Sequence, residues 1–185
     1  MEDKSRDARR VQIEEAAYDM LEKKGYGGTS MQGIARAAKA SNETLYSWYS
    51  DKKGLMAALI ARNTALVSGG LADLSGAQPL DRLGLIGPTL LAMVLGPRAV
   101  ALNRAAAADP SGDLGRALAA GGRETVGPLI AQVIADSPLN GDPAARTQLY
   151  LTLLIGDLQI RRVTGAMDAP SQAFCETHAA EALVM

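Results

Sequence analysis

The chain is poor in the side chains on which most enzymes and most extracellular folds depend. Its 185 residues include one cysteine (Cys175), one histidine (His178), one Phe and one Trp. A single cysteine excludes an internal disulfide framework and a cysteine-built zinc cluster within one chain. A single histidine removes His-pair metal sites and most catalytic triads. His178 follows Cys175 at i+3 on the terminal helix, an arrangement that does not support a nucleophile. There is no GxSxG, no P-loop and no Glu-x-x-His pair on a bundle helix. Long apolar runs are missing too: the longest, Leu83 to Val94, contains Gly87 and Pro88, stops at Arg98, and falls short of the ~20 residues of a membrane span. An excess of one charge is also absent. Net charge is −1, and residues 1–53 carry ten Lys or Arg against nine Asp or Glu, so bulk charge alone does not point to nucleic acid. The opening MEDKSRDARR has no apolar core, so no signal peptide is expected. A reducing cytoplasm fits these counts; no cofactor, no metal, no membrane and no enzymatic activity are expected.

Hydrophobic residues at 48% and charged residues at 21% describe an ordinary globular protein, large enough for one sizeable core or two small ones. Its most informative stretch is Gly25 to Leu55, GYGGTSMQGIARAAKASNETLYSWYSDKKGL. Thr29 and Ser30 offer hydroxyls to cap a helix in which Met31, Ile34, Ala35 and Ala38 form one apolar face. Lys39-Ala40-Ser41 is a turn, and Ser41 can cap a second helix, Asn42 to Tyr49. Leu45 is that helix's inward anchor, with Asn42, Glu43, Thr44, Tyr46 and Ser47 mostly outward. Two short helices joined by a tight turn form a helix-turn-helix, whose second helix can enter a major groove.

Before this block, a helix from about Asp7 to Lys24 carries Ile13, Ala17, Met20 and Leu21 on one face and stops at Gly25. Residues 1–10, with Lys4, Arg6, Arg9 and Arg10, are open to two readings, a solvated terminus or a basic arm reaching phosphates. After it, Ser50-Asp51 caps a fourth helix, punctuated at its end by Gly69-Gly70 and Ser75-Gly76. Its first turn holds Lys52 and Lys53, where the helix dipole disfavours cations. The body shows no strand alternation. Helical segments read as Pro79–Leu95, Arg98–Ala108, Ser111–Asp136 with interruptions near Gly121-Gly122 and Pro128, Asp142–Thr164, and Pro170–Val184.

The block resembles the N-terminal domain of the tetracycline-repressor (TetR) family of bacterial transcription regulators. The marks are Gly25-Tyr26, Thr29-Ser30, Ile34-Ala35, Ala38, Ser41, Thr44-Leu45-Tyr46, the aromatic pair Trp48-Tyr49, Lys52 and Leu55. The chain departs from the family pattern at Lys39, where glycine is usual because the turn tends to need positive φ, and at Tyr49, where Phe is preferred. A looser likeness to one TetR subgroup runs from Leu102 to Asp157. The resemblance implies an all-α fold with a DNA-binding domain over residues 1–55 and a helical ligand-binding and dimerisation domain over 56–185. It implies a repressor released from a double-stranded DNA operator by a small molecule. DNA contacts are expected from Thr29, Ser30, Gln32, Ser41, Asn42, Glu43, Thr44, Tyr46, Ser47 and Lys52, the last to phosphate.

Leu149, Leu153, Gly156, Ile160 and Val163 fall on one helical stripe, either plain core or, as the resemblance implies, half of a homodimeric four-helix bundle completed by Pro170–Val184. Such bodies enclose a pocket, for which the candidates are Leu90, Met93, Val94, Leu118, Val126, Leu129, Val133, Leu154 and Asp157. With so few aromatics, the expected effector is aliphatic or apolar. Arg104 and Arg123 are ambiguous. Gly84, Gly87-Pro88, Gly121-Gly122 and Gly127-Pro128 are places where helices can bend. The competing reading is a helical dimeric small-molecule-binding protein or enzyme with a vestigial DNA-binding head.

Overall fold

The computed structural model describes residues 2–72, 78–137 and 140–183. Ser75, Gly76 and Val184, and the side chains of Lys4 and Arg123, each given a part above, lie outside the described residues. The helices are α1 (Glu2–Gly28), α2 (Met31–Ala37), α3 (Asn42–Tyr49), α4 (Lys52–Ala72), α5 (Pro79–Val94), α6 (Pro97–Ala107), α7 (Asp113–Ala120), α8 (Gly127–Ala135), α9 (Pro143–Ile155), α10 (Leu158–Thr164) and α11 (Gln172–Ala182), with a π-helical stretch at Gly121–Val126. The fold is all-α, with no strand among the described residues. No single helix there is long and apolar enough to cross a membrane, and no group of three or more His, Cys, Asp or Glu is placed to hold a metal.

The chain divides into two compact units, one running to Ala61 and including Ala101–Leu118, the other made of Arg62–Val100 and the residues from Ala119 onward. In the first, Ile13, Ala17 and Leu21 of α1 meet Ile34, Leu45, Leu55 and Leu59, and Leu102, Ala105 and Leu114 join the same core. In the second, α5 packs on α8, α9 and α11, burying Leu83, Ile86, Leu90, Leu91, Ile130, Val133, Tyr150, Leu154, Cys175 and Ala179. Tyr150 is wholly enclosed; its hydroxyl donates to Leu83 O at 3.3 Å, and burial pushes its pKa up to about 12.

Several expected boundaries are corrected. The first helix starts at Glu2 and not near Asp7, so the basic segment is helical. No Gly or Pro precedes Gly25 to stop it, and Gly25 at φ 66° is where its regular course breaks. Gly69-Gly70 do not end α4; neither has positive φ, and an interior glycine costs a helix about 1 kcal/mol without breaking it. The segment Asp142–Thr164 is not one helix. Gly156, at φ 46° and ψ −128°, closes α9 with its N–H on Thr152 O, and α10 begins at Leu158. That conformation is glycine's alone, so Gly156 serves a break in the stripe, not the close approach expected of it.

Close approach is instead the task of Gly87. A Cβ there would lie 2.7 Å from Ala179 Cβ and 2.8 Å from the Tyr150 hydroxyl. Gly87→Ala is expected to lower stability by about 1–3 kcal/mol, the usual cost of overpacking. A urea denaturation series followed by circular dichroism checks it, and an unchanged midpoint would show that α5 and α11 can part freely.

Candidate nucleic-acid interface

The helix-turn-helix is built from caps. The Ser30 hydroxyl accepts from Gly33 N at 3.2 Å and begins α2. Thr29, the other capping candidate, is buried, with its hydroxyl donated to Gly25 O at 2.8 Å. Helix α2 buries Met31, Ile34 and Ala35. Its end is closed by Ala38 N on Ile34 O and Ala40 N on Ala35 O, at 2.8 and 2.9 Å. Lys39 takes up φ 51°, the left-handed conformation that the departure from glycine puts at issue. Ser41 then caps α3, accepting from Thr44 N at 3.0 Å, and its hydroxyl also lies 2.8 Å from Thr44 Oγ1.

Leu45 and Tyr49 turn inward and fix the rotation of α3. Asn42, Glu43, Tyr46 and Ser47 therefore share an exposed surface, with Ser41, Ser30 and Gln32 exposed beside them and Thr44 half-buried under its cap. Trp48 and Tyr49 meet edge-to-face at 6.3 Å, and the Arg6 guanidinium lies 5.5 Å from the Trp48 ring centroid. Beyond α3, Ser50 is forced to φ 64° and it is Asp51 that caps α4, its carboxylate accepting from Gly54 N at 2.7 Å. A side chain at position 54 would collide with the Tyr49 carbonyl.

The two lysines of that first turn are both engaged. Lys52 donates to Tyr26 O at 3.0 Å and sits 4.1 Å from the Tyr26 ring centroid. Lys53 meets Asp113 at 2.5 Å and Ser111 at 3.1 Å. The hydrogen bond to Asp113 raises the Lys53 pKa, and the same bond, with those from Ser111 and Arg116, holds the Asp113 carboxyl below its ordinary value. The offset that the helix dipole demands for these cations is thus found within the chain. Lys52 keeps further ammonium protons for a phosphate, since it has three donors.

Sequence reasoning placed Arg9 in the basic N-terminal segment but missed its partner. Arg9 Nη1 donates to Ala38 O at 3.3 Å and Lys39 O at 3.1 Å, so α1 holds the turn it precedes by some thirty residues. Only the fold brings them together. Arg36 was passed over, and Lys39 was considered only for its turn conformation; both are exposed, and no ion pair is seen for either among the described residues. Between α1 and the turn lies an open concavity of about 630 Å³, walled by Arg9 and Lys39 on one side of the charge balance and Glu15 and Asp19 on the other.

Residues 13–59 match the family model described as bacterial regulatory proteins, tetR family. Among solved structures, a TetR-family transcriptional regulator from Mesorhizobium loti, described as putative, is 25% identical, with 96% of this chain and 94% of that one covered at a TM-score of 0.78. A TetR transcriptional regulator from Agrobacterium tumefaciens is 26% identical over 95% of this chain and 92% of its own, with a TM-score of 0.71. Residues 13–59 thus carry a tetR-family regulatory domain, and the all-α fold is that of tetR-family regulators. A more distant likeness, 12% identical, is to the transcriptional regulator FadR of Bacillus subtilis in complex with stearoyl-CoA, covering 95% of this chain and 98% of that one at a TM-score of 0.72. No curated protein matches the chain in sequence.

The remaining tetR-type site residues are only partly assembled. Leu90, Val126, Val133 and Leu154 share the body's buried cluster, flanked by Met93 and Val94. Leu118 packs against the head's cluster instead. Leu129 is exposed, and Asp157, between α9 and α10, has a side chain 69% exposed. Of the stripe, Leu149, Leu153 and Ile160 are exposed by 48, 45 and 60%, and Val163 is half-buried.

Lys39→Gly is expected to raise stability by up to about 1 kcal/mol. Left-handed φ costs a side chain roughly 1–2 kcal/mol, and glycine's extra freedom when unfolded returns about half of that. Lys39→Val should lose stability at the same site. Paired urea titrations measure both, and a destabilised glycine variant would mean that the Lys39 side chain contributes more than its conformation costs.

Proposed function

We propose that this tetR-family chain is a homodimeric, sequence-specific repressor working in the cytoplasm, with a DNA-reading head over residues 1–55 and a body over 56–185. Helix α3 enters the major groove of an operator, and a small molecule held in the body releases it. The observation that carries this is the capped, outward surface of α3. Asn42, Glu43, Tyr46 and Ser47 are exposed together while Leu45 and Tyr49 anchor the helix from behind. Polar side chains of these types read base edges and bond phosphates. Glu43 suits a cytosine amino group and repels phosphate, so it favours sequence over backbone. Ser30, Gln32, Ser41, Thr44 and Lys52 flank the groove-facing helix, Arg36 and Lys39 add uncommitted charge, and Thr29 contributes by holding the start of α2. A regulator of this kind works by binding and needs no cofactor.

Sequencing of duplexes selected by the purified chain tests the reading and yields half-site spacing. Against the selected operator, Tyr46→Phe is expected to lose about 0.5–1.5 kcal/mol, the net worth of one hydrogen bond. Equal affinity in a fluorescence titration removes Tyr46 from the contact surface.

Dimerisation gives two heads roughly one DNA turn apart the affinity that one half-site lacks. Leu149, Leu153 and Ile160 support it as large apolar side chains left in water, with Val163 beside Ile160 and Gly156 setting the angle between the two short helices. Ile160→Glu, at a position 60% exposed, should leave the monomer folded and move sedimentation toward the monomer. An unchanged dimer would place the interface elsewhere. For the effector, the aliphatic cluster of Leu90, Val126, Val133 and Leu154 favours an apolar molecule, in keeping with the acyl chain carried by the ligand of Bacillus subtilis FadR.

A further inference from the structure

Lys53 is held by two side chains of the segment from Asp109 to Asp113. Its Nζ lies 2.5 Å from Asp113 Oδ2 and 3.1 Å from Ser111 Oγ. That segment is itself braced. Asp109, only 8% exposed, accepts from the Ser111 N–H at 3.2 Å and the Leu114 N–H at 3.1 Å. Asp113 has a second partner in Arg116 and lies 2.9 Å from the Ser111 hydroxyl. Leu102, Ala105 and Leu114 fasten the segment to the head's core. The carboxylate is thus fixed from several sides, whereas the lysine reaches it at the end of a flexible stem. Both side chains remain in contact with water, at 42 and 47% exposure, so the pair can open.

The adjacent residue, Lys52, is the one to which a phosphate contact is assigned. Lys53 stands one peptide further on, at the same helix N-terminus, yet is committed to Asp113. An ammonium at contact distance from a carboxylate is neutralised and cannot at the same time displace a counterion from DNA. We propose that Asp113 withholds Lys53 from the DNA backbone and thereby acts as a specificity-determining residue. Phosphate contacts add affinity for every sequence alike, whereas base contacts discriminate. Keeping one lysine off the backbone lowers binding to unrelated duplex and leaves base reading by α3 untouched. The inference rests on the DNA-binding reading of α3.

The test uses the full chain and a short duplex of scrambled sequence, titrated between roughly 50 and 200 mM KCl, the range over which phosphate contacts are lost most visibly. Asp113→Asn should steepen the slope of log K against log salt by about 0.9, the value of one added phosphate contact, and tighten binding at low salt. Lys53→Ala alone should match the wild type, and so should the double variant, because the effect passes through Lys53. Asp113→Asn keeps a polar side chain in the first turn of α7; Asp113→Ala repeats the measurement if the amide retains the lysine. Coincident slopes for the wild type and both Asp113 variants overturn the inference. The same steepening in the Lys53→Ala background also overturns it, since the cause would then be the general field. A wild type that binds no duplex at all overturns the DNA reading, and this inference with it.

Discussion

The reading surface depends on one constraint, how the backbone gets from Ala37 to Asn42. A helix end leaves carbonyls without intrahelical donors, and here the chain must also turn within a few residues to start α3. The solution has two parts. Lys39 accepts the left-handed conformation at φ 51°, and Arg9 bonds the carbonyls of Ala38 and Lys39. A guanidinium carries several donors in a fixed plane, so a single Nη1 can serve two successive carbonyls while the stem packs along α1. The angle between α2 and α3 is therefore set partly by a residue of α1. With that angle fixed, Leu45 and Tyr49 can point inward and Asn42, Glu43, Tyr46 and Ser47 outward.

Arg9 is one instance of a wider pattern in the head, where cations are largely committed to internal partners. Arg6 lies over Trp48, Arg10 lies 3.7 Å from Asp7, Lys23 lies 3.5 Å from Asp19, and Lys52 and Lys53 are held as described. Exposed pairs of this kind contribute little to stability. Their effect is on what is left over: among the described residues Lys24, Arg36 and Lys39 are exposed with no ion pair seen, and the last two lie on α2 and in the turn before α3. A head with a net charge near neutral can still present positive charge where it matters, because neutralisation is local. This is why bulk charge carried so little information about nucleic acid.

What was legible in the sequence follows from the range of the forces involved. Helix α3 is legible at its observed ends because Ser41, Leu45 and Tyr49 act within one or two turns, whereas the turn's need for positive φ at Lys39 came from the family resemblance and not from the local residues. Long-range consequences were not legible. Nothing local tells that Arg9 bonds a turn some thirty residues away, or that Leu118 packs with the head and not among the body's pocket candidates. The stripe from Leu149 to Val163 has sound helical spacing, yet spacing cannot distinguish a continuous helix from two helices that keep phase across a break. Gly156 was read for its small size, whereas its φ of 46° makes its freedom of conformation the decisive property.

The glycines and prolines of the body divide by the same test. Helix α5 runs through Gly87-Pro88 without a break. Pro88 cannot bond the carbonyl four residues before it, but side chains attend the carbonyls nearby: Tyr150 donates to Leu83 O and Thr89 to Leu85 O, at 3.3 and 2.9 Å. That place is packed and bonded, and so resists bending. Gly127-Pro128 simply opens α8, where proline's missing N–H costs nothing. Gly121–Val126 differs, because there the backbone departs from α-helical bonding into a π-helical stretch. Such stretches gather at functional sites and convert to α by a small change of register. A Cβ on Gly121 would meet the Thr64 hydroxyl of α4 at 2.5 Å, so the approach of these two backbone segments requires glycine. Here an altered helix touches α4. A shift in the register of this stretch would therefore press directly on Thr64 of α4.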